Sequence, residues 1–264
     1  MDWKNLNTYF ENIPAGFVSE LFENSEFPWS PLSRLRSQIE AYFESRPAAG
    51  QLHAEKTVLH DADNNQVEGA YYVTRSSVLS KDFIDPDLKI FIGAGSLVES
   101  GATIKDRTII EQNCEIRQGA YIRGCVFVGS GSVVGHTTEI KNSVFIKHVE
   151  AGHFAYIGDT LVGSYVNLGA GTKISNLEFR SLNAKQNEIF PQIPFRVGKE
   201  SVNTGLSKFG ALIGDGCETG CNAVLCPFVL LEPKCWIMPC HCVLKGVYGK
   251  GSILRPGHSR TKKF

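Results

Sequence analysis

One passage of this chain concentrates side chains able to move a proton or hold an anion. It runs through Glu139-Ile140-Lys141-Asn142-Ser143, Ala151-Gly152-His153-Phe154-Ala155-Tyr156-Ile157-Gly158-Asp159 and Val166-Asn167-Leu168-Gly169-Ala170-Gly171-Thr172. The imidazole of His153 can accept a proton near pH 7, which suits it to an attacking amine. Arg123 and Lys141 are two cations whose spacing gains meaning only from the element that carries them. Cys240-His241-Cys242 invites a zinc reading, but its ligands lack the usual two-residue gap. Asp61-Ala62-Asp63-Asn64-Asn65 lacks the spaced Gly and terminal Glu of a Ca²⁺ loop and reads as a turn.

The element that positions these residues shows in a period of six. Stepping by six from Ile92 gives Val98, Ile104, Ile110, Ile116, Ile122, Val128, Val134, Ile140 and Ile146, every one Ile or Val. Four residues after each comes a mostly small side chain: Ser96, Ala102, Thr108, Cys114, Ala120, Val126, Ser132, Thr138 and Val144. The register slips between Lys147 and Tyr156 and resumes at Ile157, Val162, Leu168 and Ile174. It is absent until Ile213, Thr219, Leu225, Leu231, Ile237 and Val243. An α-helix would scatter such a repeat around its circumference. A β-solenoid accommodates it, with short strands, tight turns and β-branched residues filling a narrow core. Three six-residue sides make one triangular coil, and Arg123 and Lys141 are separated by three such sides, so they are expected to stack on one outer face.

Around the solenoid, expected at 91–250, lie a helical N-terminal segment (1–50), a strand-containing lead-in (51–90) and a C-terminal tail (251–264). In the first, Leu32, Leu35, Ile39 and Phe43 have helical spacing, with Ser30 and Pro31 as a start and Arg46-Pro47 as a stop. This segment is expected on the first coil or against another subunit. In the lead-in, Ala70-Tyr71-Tyr72-Val73 is strand-like. Residues 178–207, with Pro191 and Pro194, are expected to form a loop projecting from the solenoid. The 27 basic and 27 acidic residues argue against a polyanion-binding surface, so no nucleic-acid partner is expected. No apolar run is long enough to span a bilayer and no signal peptide opens the chain, so a cytoplasmic protein without a membrane partner is expected. The eight cysteines are then reduced thiols. Cys114, Cys217 and Cys235 occupy the small interior position and act as core fillers.

The repeat resembles the hexapeptide-repeat, left-handed β-helix family through Ile92-Gly93, Val128-Gly129, Val134-Gly135, Ile157-Gly158, Val162-Gly163, Leu168-Gly169 and Ile213-Gly214. This implies a mainly β fold, a left-handed parallel β-helix with a short α-helical N-terminal segment and an inserted loop. The chemical passage resembles the acetyltransferase half of the bifunctional enzymes that make UDP-N-acetylglucosamine, in an archaeal-type variant with a long loop after Asn176. The resemblance implies acetyl-CoA as co-substrate, glucosamine 1-phosphate or a related amino-sugar phosphate as acceptor, a homotrimer, and no metal. It assigns His153 as general base. Arg123 and Lys141 become sugar-phosphate ligands, with Arg117 of Arg117-Gln118-Gly119-Ala120 a rival for the Arg role. Tyr156 and Asn167 become sugar contacts, and Lys208 reaches the site from a neighbouring subunit. Ala170, Asn176, Cys221 and Arg255 fall on the acetyl-CoA side, with Arg260, Lys262 and Lys263 further candidates for its phosphates. Cys221 replaces a frequent Ser, Pro239 a frequent Ala and Leu177 a Tyr of that family. Nothing in residues 1–90 resembles its nucleotidyltransferase half.

Two other readings fit the same scaffold. His148 and His153 have a spacing used for two of three zinc ligands in trimeric carbonic anhydrases, with Gln112 where the third is needed and His136 most of a coil away. A non-catalytic solenoid, regulating a sugar nucleotidyltransferase, is the other.

Overall fold

The computed structural model describes residues 2–11, 13–64 and 66–256. Parallel strands of two to four residues stack into three sheets that enclose a triangular core, the parallel β-helix expected from the repeat. One sheet, the site face, holds Thr103–Lys105, Tyr121–Ile122, Glu139–Lys141, Tyr156–Gly158, Lys173–Ile174, Val224–Leu225 and Cys242–Val243. The next, the covered face, runs from Ile90–Ile92 to Gly246–Tyr248, and the third from Leu97–Val98 to Ile253–Leu254. Antiparallel strands of the lead-in begin all three sheets: the hairpin Ala54–His60 with Gln66–Val73, then Ser77–Val78 and Phe83–Asp85. Within the triangle Ile104, Ile110, Ile116, Ile122, Val128, Val134 and Ile140 are fully buried in one cluster, together with Cys114, Cys217 and Cys235.

Tight corners require left-handed backbone. Thr137, Phe154, Asn222 and Cys240 adopt positive φ at the first corner, between the third and site faces. Arg107, Cys125, Asn142 and Asp159 do so at the second, between the site and covered faces, and Asn113, His148, Tyr165 and Lys234 at the remaining one. Such conformations are unfavourable for residues with a Cβ, and here they are held by backbone hydrogen bonds between successive coils.

The pairing corrects the position of the register slip. Tyr121 pairs with Glu139, a full coil of three sixes further on, whereas Val126 pairs with Ser143, one position short of a full coil. One residue is therefore missing at the second corner, around Asn142, before the segment where the sequence pattern breaks. Phe145, not Ile146, fills the triangle, while Ile146 lies in the apolar layer outside the covered face.

That outer layer is built by the N-terminal segment. A 3-10 turn (Leu6–Thr8), α1 (Phe17–Phe22) and α2 (Ser30–Tyr42) lie across the covered face, with Phe17 stacked on Phe127 at 4.9 Å and Trp29 edge-on to Phe228 at 4.9 Å. The segment thus spans coils from Phe91 to Phe228 rather than capping the first one. Ser30 is the first helical residue, and its hydroxyl accepts from the Phe27 N–H, tying the preceding turn. The expected projecting loop also differs. After α3 (Leu182–Gln186), a hairpin of Pro194–Val197 and Glu200–Asn203 folds back onto the covered face, because Ile193, Phe195, Val202 and Phe209 offer apolar surface to Trp3, Trp29 and Phe228. Among the described residues no helix is long and apolar enough to cross a membrane.

Candidate functional site

With one face covered, the site face, the third face and the corner between them carry the residues of interest. His153 ends the strand Glu150–His153 at the first corner, directly below His136. Its side chain is exposed, and no hydrogen bond or ion pair engages the ring among the described residues. The corner beneath it is pinned by Lys173, whose ammonium donates to the carbonyls of Phe154 and Gly171, each at 2.9 Å. Gly171 N–H donates to the His153 carbonyl, Asn222 N–H to Ala170 and Cys240 N–H to Cys221. His153, Ala170 and Cys221 therefore follow one another down a single corner, although they are far apart in the chain. Ala170 is half-buried, and its N–H has no acceptor among the described residues. Met238 N–H donates to the Leu254 carbonyl, which places the exposed Arg255 on the last coil near this line. At 4.7–4.9 Å per coil, the line from His153 to that coil is about 19 Å long. Arg260, Lys262 and Lys263 lie outside the described residues.

The second corner gathers a different group. Asp159, 6% exposed, accepts from Asn142 Nδ2 at 2.7 Å and from Asn176 Nδ2, and lies 3.4 Å from the Lys141 ammonium. Tyr156 reaches Asn176 Oδ1 at 3.5 Å. Burial, then the carboxylates of Asp159 and Glu139, push the Tyr156 phenol up, so it remains a hydrogen-bond donor at neutral pH. Lys141, Tyr156 and Asn176 are thus brought together by Asp159, which sequence reading passed over. The available signal was its place at the second corner, equidistant in sequence from Asn142 and Asn176 and one shortened coil from each. Gly158 is required here: a Cβ on it would lie 2.8 Å from Asn176 Nδ2 and 2.9 Å from Tyr156 Oη.

Arg123 neighbours Lys141 in register and forms an ion pair with Glu139 at 2.7 Å. Arg117 instead lies on the third face, bonded to Glu115 and reaching over Gly152. The geometry therefore groups Arg123, not Arg117, with Lys141. Asn167 sits on the third face, its amide donating to Glu218 at 3.0 Å. Lys208 does not join Lys141. Its ammonium lies over the Phe190 ring, 4.9 Å from the centroid, beside Arg180 at 4.1 Å.

One chain does not bring the paired histidines of the zinc reading together. His148 stands at the corner between the covered and third faces, stacked on Tyr165 at 5.1 Å, while His153 ends the following strand. An extended strand carries the two imidazoles to opposite ends of one side. Gln112 and His136 give them no common centre, and among the described residues no three His, Cys, Asp or Glu side chains converge. Cys242 instead faces Cys226, with sulfurs 3.7 Å apart, and both are free thiols.

A family model described as the GMPPB C-terminal domain matches residues 104–193. A bifunctional sugar-1-phosphate nucleotidylyltransferase/acetyltransferase of Sulfurisphaera tokodaii is 33% identical over 266 aligned positions, covering 88% of this chain and 64% of that protein. The bifunctional protein GlmU of Methanococcus aeolicus is 29% identical over 183, covering 65% and 42%. The chain thus spans less than two thirds of these relatives' own length. A UDP-N-acetylglucosamine acyltransferase structure from Francisella novicida aligns over 59% of this chain and 52% of its own, at 16% identity and TM-score 0.43.

Proposed function

We propose that this chain, homologous to bifunctional sugar-1-phosphate nucleotidylyltransferase/acetyltransferases of the GlmU type, is an acetyl-CoA-dependent N-acetyltransferase. Its acceptor is an amino-sugar phosphate such as glucosamine 1-phosphate, on the route to UDP-N-acetylglucosamine, and its working form is a cytoplasmic homotrimer. The observation that carries this reading is that two arrays border one face. The His153–Ala170–Cys221 line descends the first corner, and the Lys141–Asp159–Asn176–Tyr156 group occupies the strand ends opposite.

In this reading the acceptor phosphate engages Lys141 and Arg123, displacing the partly exposed Arg123–Glu139 ion pair, which contributes little by itself. Tyr156 and Asn167 orient the sugar. The free imidazole of His153 takes a proton from the amine as nitrogen bonds to the acetyl carbon, and the pantetheine thiolate leaves. The unengaged N–H of Ala170 is available to the thioester oxygen as it becomes an oxyanion. Lys208 enters from a neighbouring chain, and the acetyl-CoA arm runs past Asn176 and Cys221 toward Arg255. The test is thiol release from acetyl-CoA with a panel of amino-sugar phosphates. His153→Ala is expected to lower turnover by about 100-fold or more while far-UV circular dichroism and sedimentation stay unchanged. Undiminished turnover in that variant overturns the assignment of the base. Failure of the unaltered protein to bind acetyl-CoA favours the non-catalytic partner of a nucleotidyltransferase.

A further inference from the structure

We propose that Asp159 is the positioning residue of the acceptor site, fixing the Lys141 ammonium and the Asn176 amide with one carboxylate. The inference rests on the acetyltransferase reading and extends it to a residue that touches neither substrate.

Four observations converge on it. Asp159 is 6% exposed, and a buried carboxylate is tolerated only where donors surround it. Its partners are side chains of the site or its neighbour: Asn142 Nδ2 donates to Oδ1 and Asn176 Nδ2 to Oδ2, which also forms the ion pair with the Lys141 ammonium. Its backbone is held independently, its N–H donating to the Lys141 carbonyl at 3.1 Å and its carbonyl accepting from Gly210 at 2.9 Å. Asn142 and Asp159 take left-handed conformation on consecutive coils at the second corner, with φ of 42° and 51°.

The consequence is an orientation. An amide has two faces, and donation of Nδ2 to Asp159 turns Asn176 Oδ1 toward the Tyr156 hydroxyl. Without the carboxylate neither that orientation nor the resting place of the Lys141 ammonium is specified. The same oxygen that holds the ammonium holds the amide, so the phosphate end and the acetyl-CoA end of the site share one anchor.

Asp159→Asn tests this, because Asn fits the same left-handed corner but replaces one acceptor oxygen with a donor facing other donors. The expected result is a rise of about tenfold or more in KM for glucosamine 1-phosphate, with a smaller change in kcat, the scale of losing a hydrogen bond to a charged group. In a Lys141→Met background the same substitution is expected to add less than half of that factor, because the two act through one contact. Unchanged KM, or full additivity with Lys141→Met, overturns the proposal. Should Asp159→Asn fail to fold, Asn142→Gly decides: it keeps a residue suited to the left-handed corner, removes the donor on Oδ1 and is expected to raise the same KM about twofold to fivefold, and an unchanged KM overturns. A crystal structure of Asp159→Asn separates this inference from the function it rests on. Lys141 and Asn176 side chains in their original places refute the positioning role whatever the activity, whereas an unaltered protein inactive on every amino-sugar phosphate refutes the acetyltransferase reading alone.

Discussion

Gly158 shows how little room the candidate site leaves for error. Its strand passes directly beneath the contact between Tyr156 and Asn176, and the space a methyl group needs is already taken by Asn176 Nδ2 and Tyr156 Oη. Gly158 itself is buried, so the neighbours rather than the backbone would have to move. Gly158→Ala is therefore expected to cost about 1–3 kcal/mol by overpacking, read from urea midpoints. It should also lower kcat/KM in the thiol-release assay about tenfold, since Asn176 is the group displaced. A variant as active as the unaltered protein shows that the Tyr156–Asn176 contact has no part in turnover. The same crowding explains why Asp159 escaped sequence reading: its role comes from side chains one coil above and one coil below, which are distant in the chain and carry no local pattern.

Among the elements, the lead-in strands make the solenoid's upper end, and one carboxylate ties them together. Asp85, on the strand Phe83–Asp85, accepts from Lys56 and Tyr71 at 2.7 Å each and from the N–H groups of Asp87 and Leu88 at 2.9 and 3.0 Å. Burial pushes this carboxyl up, but the Lys56, Tyr71 and Leu88 donors outweigh it and hold its pKa below the ordinary value. A folded-state pKa below the unfolded one adds stability that is complete above the unfolded value, near 4, and is lost as pH falls through the folded value. Asp85→Asn should thus be less stable than the unaltered protein at pH 7, and the gap should close as pH falls below about 4. Urea midpoints at pH 7, 5 and 3 check this, and a gap that does not change with pH contradicts it. The strand pattern of the solenoid was legible because a period of six admits one architecture. The lie of α1, α2 and the returning hairpin was not, because Trp3, Trp29, Phe195 and Phe228 meet across most of the chain. Ile146 was misplaced for a related reason: apolar character alone does not say whether a residue faces the triangle or the layer outside it.

For the whole molecule, the distribution of candidate residues around the triangle argues for assembly. His153 and Lys208 belong to opposite edges of the site face, one at the first corner and one after the second, with Lys208 drawn over Phe190. Five or six extended residues between corners span about 17–20 Å, and the Phe190 contact holds the Lys208 ammonium on the far side. A second chain whose Lys208 edge approaches the first chain's His153 corner closes that distance, and repeating the contact around a three-fold axis makes three equal sites. The covered face is already occupied by the chain's own N-terminal segment, which leaves the site and third faces for such contacts. Sedimentation should then report a mass of three 29.0 kDa chains. Mixing decides between shared and self-contained sites. His153→Ala and Lys208→Ala proteins, each expected to be nearly inactive, should regain activity when co-refolded in equal amounts. In random trimers about one site in four pairs an intact His153 with an intact Lys208 from the next chain. Recovery near a quarter of the unaltered rate establishes sites shared between chains. No recovery from mixed trimers means that each chain supplies both residues to its own site, and that Lys208 leaves Phe190 to reach it.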